Sequence, residues 1–311
     1  MYYLGVDIGG TTIKAGLVDE TGQIVDRARI PTIIDSQSGF LSSLTELIRG
    51  FQNAPNPPKI QAIGIGIPGL RNATTRRIIF SPNIPCLTNL SLEKPVADEV
   101  HLPVTTENDA NAAAYAEFVC GLGKGLLHFA YLTLGTGLGS GVILNGKLFT
   151  GTSGYAMEFG HTVMEPEGRP CGCGNSGCLE TLVSAQGIVL TALELMRDEP
   201  QSSLRAIEEP LTAELISEQA LAGDAVSKAT FDRTGRWLGI ACGNLINMLN
   251  LQMIALGGGI MAAGELLLKP AIAEAQRHSI APMFQDSRIV QSTSGPDAGI
   301  IGAAMLARDR H

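Results

Sequence analysis

The stretch YYLGVDIGGTTIKAGLV, residues 2–18, sets two apolar runs of strand length on either side of a short glycine turn. Tyr2–Asp7 and Thr12–Val18 read as strands, and Ile8-Gly9-Gly10-Thr11 as the turn between them. Asp19-Glu20-Thr21-Gly22-Gln23 is a second turn and Ile24–Ile30 a third strand, so the chain opens as an antiparallel meander. Phe40–Phe51 carries apolar residues at helical spacing: Phe40, Leu41, Leu44, Leu47 and Ile48. Pro55-Asn56-Pro57-Pro58 ends that helix, and Lys59–Ile67 returns as a nearly continuous apolar strand. A helix covering a sheet on this rhythm predicts an α/β fold.

The second half repeats the opening. Leu127–Leu134 reads as a strand, Gly135–Gly139 as a glycine-rich turn, and Ser140–Leu144 as a returning strand with a hairpin at Asn145-Gly146. The echo suggests two related halves. Asn108–Cys120 is an alanine-rich helix that carries the chain out of the first half. Leu179–Arg197, Ala213–Ala222 and Asp224–Leu249 read as helices, Gln252–Leu256 as a strand running into Gly257-Gly258-Gly259, and Ala298–Arg310 as a closing helix.

At 311 residues the chain is long enough for two such domains. Its formal net charge of −8, with no run of four basic residues, argues against nucleic acid as a partner. No apolar run approaches the ~20 residues that span a bilayer. Met1-Tyr2-Tyr3-Leu4 leads straight into Gly-Val-Asp without a signal-peptide pattern, so a cytoplasmic protein is expected. Cys86, Cys120 and Cys242 are scattered and read as reduced, buried thiols.

Two turns can cradle phosphate. In Asp7-Ile8-Gly9-Gly10-Thr11-Thr12, paired glycines let backbone N–H groups approach oxygen anions, and Asp7 can hold Mg²⁺ through water. A plain hairpin would also use these residues. Thr133–Gly141 alternates glycine with threonine in the same way; a packing contact between strands is its other reading. The pattern G-x-x-x-x-G-K-[ST] is absent, and the G-x-G-x-x-G at Gly64–Gly69 meets Pro68 where a helix should open, against a dinucleotide fold. In Glu107-Asn108-Asp109-Ala110, Asp109 can accept a proton and Asn108 can bond a hydroxyl, but on pattern alone a helix cap is the stronger reading of these residue types. His161, Cys171, Cys173 and Cys178 form a closed Cys₃His donor set that suits structural Zn²⁺, with a disulfide and coincidental thiols as the alternatives. Glu158 and Glu180 flank it and can face a polyol.

These patches in this order resemble the ROK family, over nearly the whole chain. Cys171 to Glu180 matches C-x-C-G-x-x-G-C-x-E, and Glu158–His161 matches its Glu-x-Gly-His. The resemblance implies two ribonuclease-H-like domains of the actin/hexokinase ATPase type around an interdomain cleft. These would be residues 1–115 joined by 298–311, and 116–297 with the zinc loop 161–178. It implies ATP-dependent phosphorylation of a hexose, glucose first, at C6, in a homodimer. Asp109 would be the base, and Gly69, Asn83, Asn108, Asp109, Glu158, His161 and Glu180 would bind the sugar. Asp7, Gly9, Gly10, Thr11, Thr12, Lys14, Gly135, Thr136 and Gly137 would hold the phosphates and Mg²⁺, with Gly257, Gly258 and Gly259 at the adenosine. His161, Cys171, Cys173 and Cys178 would bind zinc. The family also contains sugar-sensing regulators, which carry a helix-turn-helix before the first phosphate turn; here that turn begins at Asp7. Met157 stands where relatives have a glycine, and the loop Pro82–Leu87 lacks their tryptophan, so the sugar's identity rests on other residues.

Overall fold

The opening runs form the strands that their burial pattern requires. The computed structural model describes residues 1–55 and 57–311. In it β1 (Tyr2–Ile8), β2 (Thr12–Asp19) and β3 (Ile24–Pro31) make an antiparallel meander. α1 (Gln37–Gln52) follows, its N-terminus capped by the Ser36 hydroxyl, which accepts from the Gly39 N–H at 3.1 Å. The turn expected at 55–58 includes Asn56, which lies outside the described residues. β4 (Ile60–Ile67), β5 (Leu70–Arg71), β6 (Ile78–Phe80), α2 (Glu93–Val100), β7 (Val104–Asn108) and α3 (Asp109–Cys120) complete the first half. The second half runs β8 (Phe129–Leu134), β9 (Leu138–Leu144), β10 (Lys147–Leu148), α4 (Glu180–Val183), α5 (Ala185–Leu195), α6 (Ala213–Ala222) and α7 (Ala225–Leu249). β11 (Met253–Gly257), α8 (Glu265–His278), α9 (Ala281–Gln285), β12 (Arg288–Gln291) and α10 (Ala298–Arg310) end it.

The two main sheets have one plan. The first has the order β3-β2-β1-β4-β7 and the second β10-β9-β8-β11-β12, so in each three strands consecutive in the chain are extended by two later strands. β1, β4 and β7 are parallel, as are β8, β11 and β12. The internal echo read from the glycine turns is thus an echo of topology. By compactness the chain divides into residues 1–127, 141–157 and 294–311 as one unit, and 128–140 and 158–293 as the other.

In the first unit α1 and α2 bury Phe40, Leu44, Ile48 and Val96 with Leu4, Val6, Ile63 and Ile65 of the sheet. At about 25 cal/mol per Å² of apolar surface, each such side chain stabilises the fold by about 1.5–3 kcal/mol. α10 covers the sheet with Ile300, Ala304 and Met305, against Tyr3, Val18 and Ala62. Gly5 and Gly64 permit its close approach, since a Cβ there would collide with the carbonyls of Ile300 and Ala303. The parallel register sets Asp7 beside Gly66 and Ile67 beside Asn108, so the carboxyl ends of β1, β4 and β7 share one edge. In such sheets ligands bind outside the carboxyl ends.

Two expectations need correction. The helix read over Leu179–Arg197 is broken at Ser184, which is extended (φ −74°, ψ 170°). Its hydroxyl caps α5 through the Gly187 N–H, while the next amide, Ala185, donates to the Gly135 carbonyl at 2.9 Å. That tie to a loop outweighs helix continuity. Of the scattered cysteines only Cys242 is buried; Cys86 is half-buried and Cys120 exposed.

Candidate functional site

The first unit gathers the residues read as phosphate turn and base. The turn after β1 is closed by Gly9 N–H donating to the Thr12 carbonyl at 3.0 Å, and Thr32 braces it by donating its hydroxyl to the Gly9 carbonyl at 2.7 Å. Asp7, next to last in β1, pairs with Lys14 of β2 and lies against the first turn of α10: a Cβ on Gly299 would sit 2.8 Å from its carboxyl carbon. Burial pushes the Asp7 carboxyl above the usual carboxylate range, with Lys14 opposing and Asp297 reinforcing the rise. Asn83 lies beside the turn, its Cβ 3.6 Å from where a Gly10 side chain would begin. Gly69 has φ +104°, and a side chain there would strike the Phe80 carbonyl.

At the end of β7 the cap and the candidate base separate. Asn108, not Asp109, caps α3: its side-chain oxygen accepts from the Asn111 N–H at 3.0 Å, and its amide donates to the Gly69 carbonyl at 3.2 Å. Asp109 is the first residue of α3, and its Oδ1 accepts from the Ala110 N–H at 2.8 Å.

The second unit brings the other phosphate turn, the Gly257-Gly258-Gly259 run and the carboxylates together. Gly135 N–H donates to the Gly137 carbonyl at 2.9 Å. Gly258, at φ +89°, packs on the backbone of Leu134, the residue before that turn. Glu180 opens α4 and accepts from the Leu138 N–H at 2.9 Å; a Cβ on Gly137 would strike this same carboxylate. A hydroxyl-reading candidate is therefore seated against a phosphate-holding one. Burial, countered by His161 and reinforced by Glu180, raises the Glu158 carboxyl above its ordinary value. Met157, just before it, has φ +70°, a backbone conformation that favours glycine.

The four metal donors converge. Ligand atoms of His161, Cys171, Cys173 and Cys178 all lie within 4.8 Å of one another. His161 Nδ1 is 3.6 Å from Cys171 Sγ, and Cys173 Sγ is 3.6 Å from Cys178 Sγ. Bonds of about 2.0–2.3 Å to a tetrahedral ion place donor atoms about 3.5–3.8 Å apart, so the set fits zinc. The other ring nitrogen, Nε2, faces Glu158 Oε2 at 3.9 Å. Burial pushes the Cys178 thiol up to about 12, so a cation is what would keep this group a thiolate at neutral pH. Arg169 escaped the sequence reading, since a single arginine between the motifs carries no pattern. Its guanidinium donates to the carbonyls of Thr181 and Gly187 at 2.8 and 3.0 Å and pairs with Glu194 at 2.9 Å, fastening the cysteine loop to α4 and α5.

Comparison with known proteins follows the same outline. The ROK family model matches residues 3–310. A glucokinase of Halalkalibacterium halodurans is 36% identical over 99% of this chain and 96% of its own length. The crystal structure of a ROK glucokinase from Streptomyces griseus in complex with glucose and AMPPNP is 34% identical, with a TM-score of 0.85 over 99% of this chain and 100% of that one. A xylose repressor of Caldicellulosiruptor bescii is 30% identical over 98% of this chain and 78% of its length.

Proposed function

The chain belongs to the ROK family, and from that premise we propose an ATP-dependent hexokinase that phosphorylates the C6 hydroxyl of glucose or a related aldohexose or N-acetyl hexosamine. The observation that carries the reading is the Glu180 carboxylate held by the Leu138 N–H against the Gly135–Gly137 turn, hydroxyl recognition beside phosphate recognition.

In this reading Asp109 accepts the proton of the C6 hydroxyl as that oxygen attacks the γ-phosphorus. The bond from phosphorus to the bridging oxygen breaks, and ADP leaves. Catalysis of this kind rests on positioning and charge stabilisation more than on covalent chemistry. The turns of Gly9, Gly10, Gly135 and Gly137 meet the phosphates, the Gly9 and Gly135 N–H groups closing the two turns and leaving those of Gly10 and Gly137 to donate, with the hydroxyls of Thr11, Thr12 and Thr136 and the Lys14 ammonium. Gly257, Gly258 and Gly259 lie under the adenosine. Asp7 would hold Mg²⁺, which would supply charge neutralisation at the phosphates. Gly69, Asn83, Asn108, Glu158, His161 and Glu180 read the sugar hydroxyls. Zinc on His161, Cys171, Cys173 and Cys178 supplies a rigid crosslink when bound. Among the described residues no helix is long and apolar enough to cross a membrane. We place the enzyme in the cytoplasm as a homodimer, as the family resemblance implies.

ADP release measured across glucose, N-acetylglucosamine, N-acetylmannosamine, allose and fructose tests the reading. Glucose should give the highest kcat/KM. ADP release that no sugar stimulates would overturn it, and would favour a sugar-sensing protein.

Asp7 gives a second check through pH. Its folded-state pKa is raised, so the protonated carboxyl is favoured by folding; that contribution is complete below the unfolded value near 3.8 and is lost as pH rises through the folded value. Without nucleotide, Asp7→Asn should therefore melt a few degrees higher than the wild type at pH 7, with the gap closing toward pH 4, and should lose turnover. A lower melting temperature at pH 7 would mean that the Lys14 pairing outweighs burial.

A further inference from the structure

The first unit has a cavity of about 490 Å³ whose lining includes Arg71 of β5, Arg76, Glu93 of α2, Thr105 and Glu107 of β7, and Arg310 of α10. Neither Asn108 nor Asp109 lines it. Three guanidiniums face two carboxylates, and both carboxylates are already engaged. Glu93 Oε1 accepts from Arg71 at 2.8 Å and from the Thr106 amide and hydroxyl at 3.0 and 2.7 Å. Glu107 Oε2 accepts from Arg310 at 2.7 Å. Arg76 approaches the same Glu93 oxygen at 3.5 Å, so two guanidiniums share one carboxylate, and His311 lines the cavity as well. Arg71 is only 5% exposed, yet its Nε has no hydrogen-bond partner among the described residues. A buried donor left unmade is costly, so a salt-bridged scaffold alone does not account for this arginine.

We propose that this cavity is a second ligand site, which takes a small phosphate monoester with its phosphate against Arg71, Arg76 and Arg310. Guanidiniums match phosphate oxygens in paired, charge-assisted bonds, and the partly desolvated wall strengthens them. The volume falls within the range of small-molecule sites and is ample for a hexose phosphate. Thr105 and the carboxylates give the remaining wall the acceptors that sugar hydroxyls need. The choice of hexose 6-phosphate as ligand rests on the kinase reading; the anion site does not.

Calorimetry on the full chain, saturated with glucose and a non-hydrolysable ATP analogue, tests this with glucose 6-phosphate and inorganic phosphate as separate probes. One glucose 6-phosphate should bind per chain, at least about tenfold more weakly in Arg76→Ala and in Arg71→Lys. Arg76 is half exposed, so its loss should leave folding intact, and Arg71→Lys keeps the charge while removing the Nε donor. Inorganic phosphate binding as tightly, with the same sensitivity, would support the site with free phosphate as its occupant. No binding to the saturated chain, or binding unchanged in both variants, would overturn the proposal. Should every sugar fail to stimulate ADP release while this binding persists, the kinase reading falls and the anion site stands.

Discussion

Asp109→Asn should fold as the wild type does and lose phosphorylation by roughly 10²–10⁴-fold, the usual contribution of a positioned base. The structure sharpens this expectation, because the cap of α3 is made by Asn108 and survives the substitution. What Asp109 adds to stability as the first helical residue is a carboxylate near the positive end of the helix dipole, about 0.3–1 kcal/mol. The loss should fall on kcat, since an amide of the same shape still fits beside the sugar. Steady-state kinetics with a melting curve on the same preparation checks both halves. Turnover near that of the wild type, together with a melting temperature several degrees lower, would return Asp109 to a structural role.

The second large effect concerns the metal. The purified protein should carry about one zinc per chain. In Cys173→Ser, sugar binding should weaken by about 10–100-fold, although no cysteine is assigned to touch the sugar. Glu158 lies before the donor loop and Glu180 after it, and His161 spans both roles, with Nδ1 toward Cys171 and Nε2 toward Glu158. Sequence assigned the ATP-holding turns to separate segments, which predicts an untouched nucleotide affinity. The structure modifies that prediction, because Glu180 and Ala185 are both bonded to the turn around Gly135–Leu138. A small loss of nucleotide affinity should accompany the large loss for sugar. Titrating each ligand against folded, zinc-depleted variant separates the outcomes: equal weakening means general unfolding, and unchanged sugar affinity detaches the metal from recognition.

The sequence was most legible where local chemistry and tertiary structure agree. Tyr2–Ile30 alternates apolar runs with glycine and Asp-containing turns, and its strands lie within a residue of their expected bounds. Four donors within eighteen residues of one another announced their own convergence, since so few geometries satisfy them. β7 was not seen. Val104–Asn108 is a strand of mostly polar residues, and its Thr105, Thr106 and Glu107 are buried through bonds to Arg310 and Glu93 that no local pattern encodes. α2 and α8 were likewise not read from the sequence, and each contains a proline. Pro95 sits in the first turn of α2, where its missing N–H costs nothing, whereas Pro270 lies inside α8. The candidate base was hidden behind the cap reading because Asn and Asp are both common caps, and the bond from the Asn111 N–H to Asn108 gives the cap to Asn108 and leaves Asp109 outside that role.

Phosphorus NMR of the purified chain with ATP, Mg²⁺ and glucose tests the central claim most directly. The account predicts that the γ-phosphate signal of ATP disappears as a hexose 6-phosphate signal and ADP grow in equal amounts, in the wild type and not in Asp109→Asn. Growth of inorganic phosphate in place of the sugar phosphate, or an unchanged ATP spectrum with every hexose offered, would contradict it.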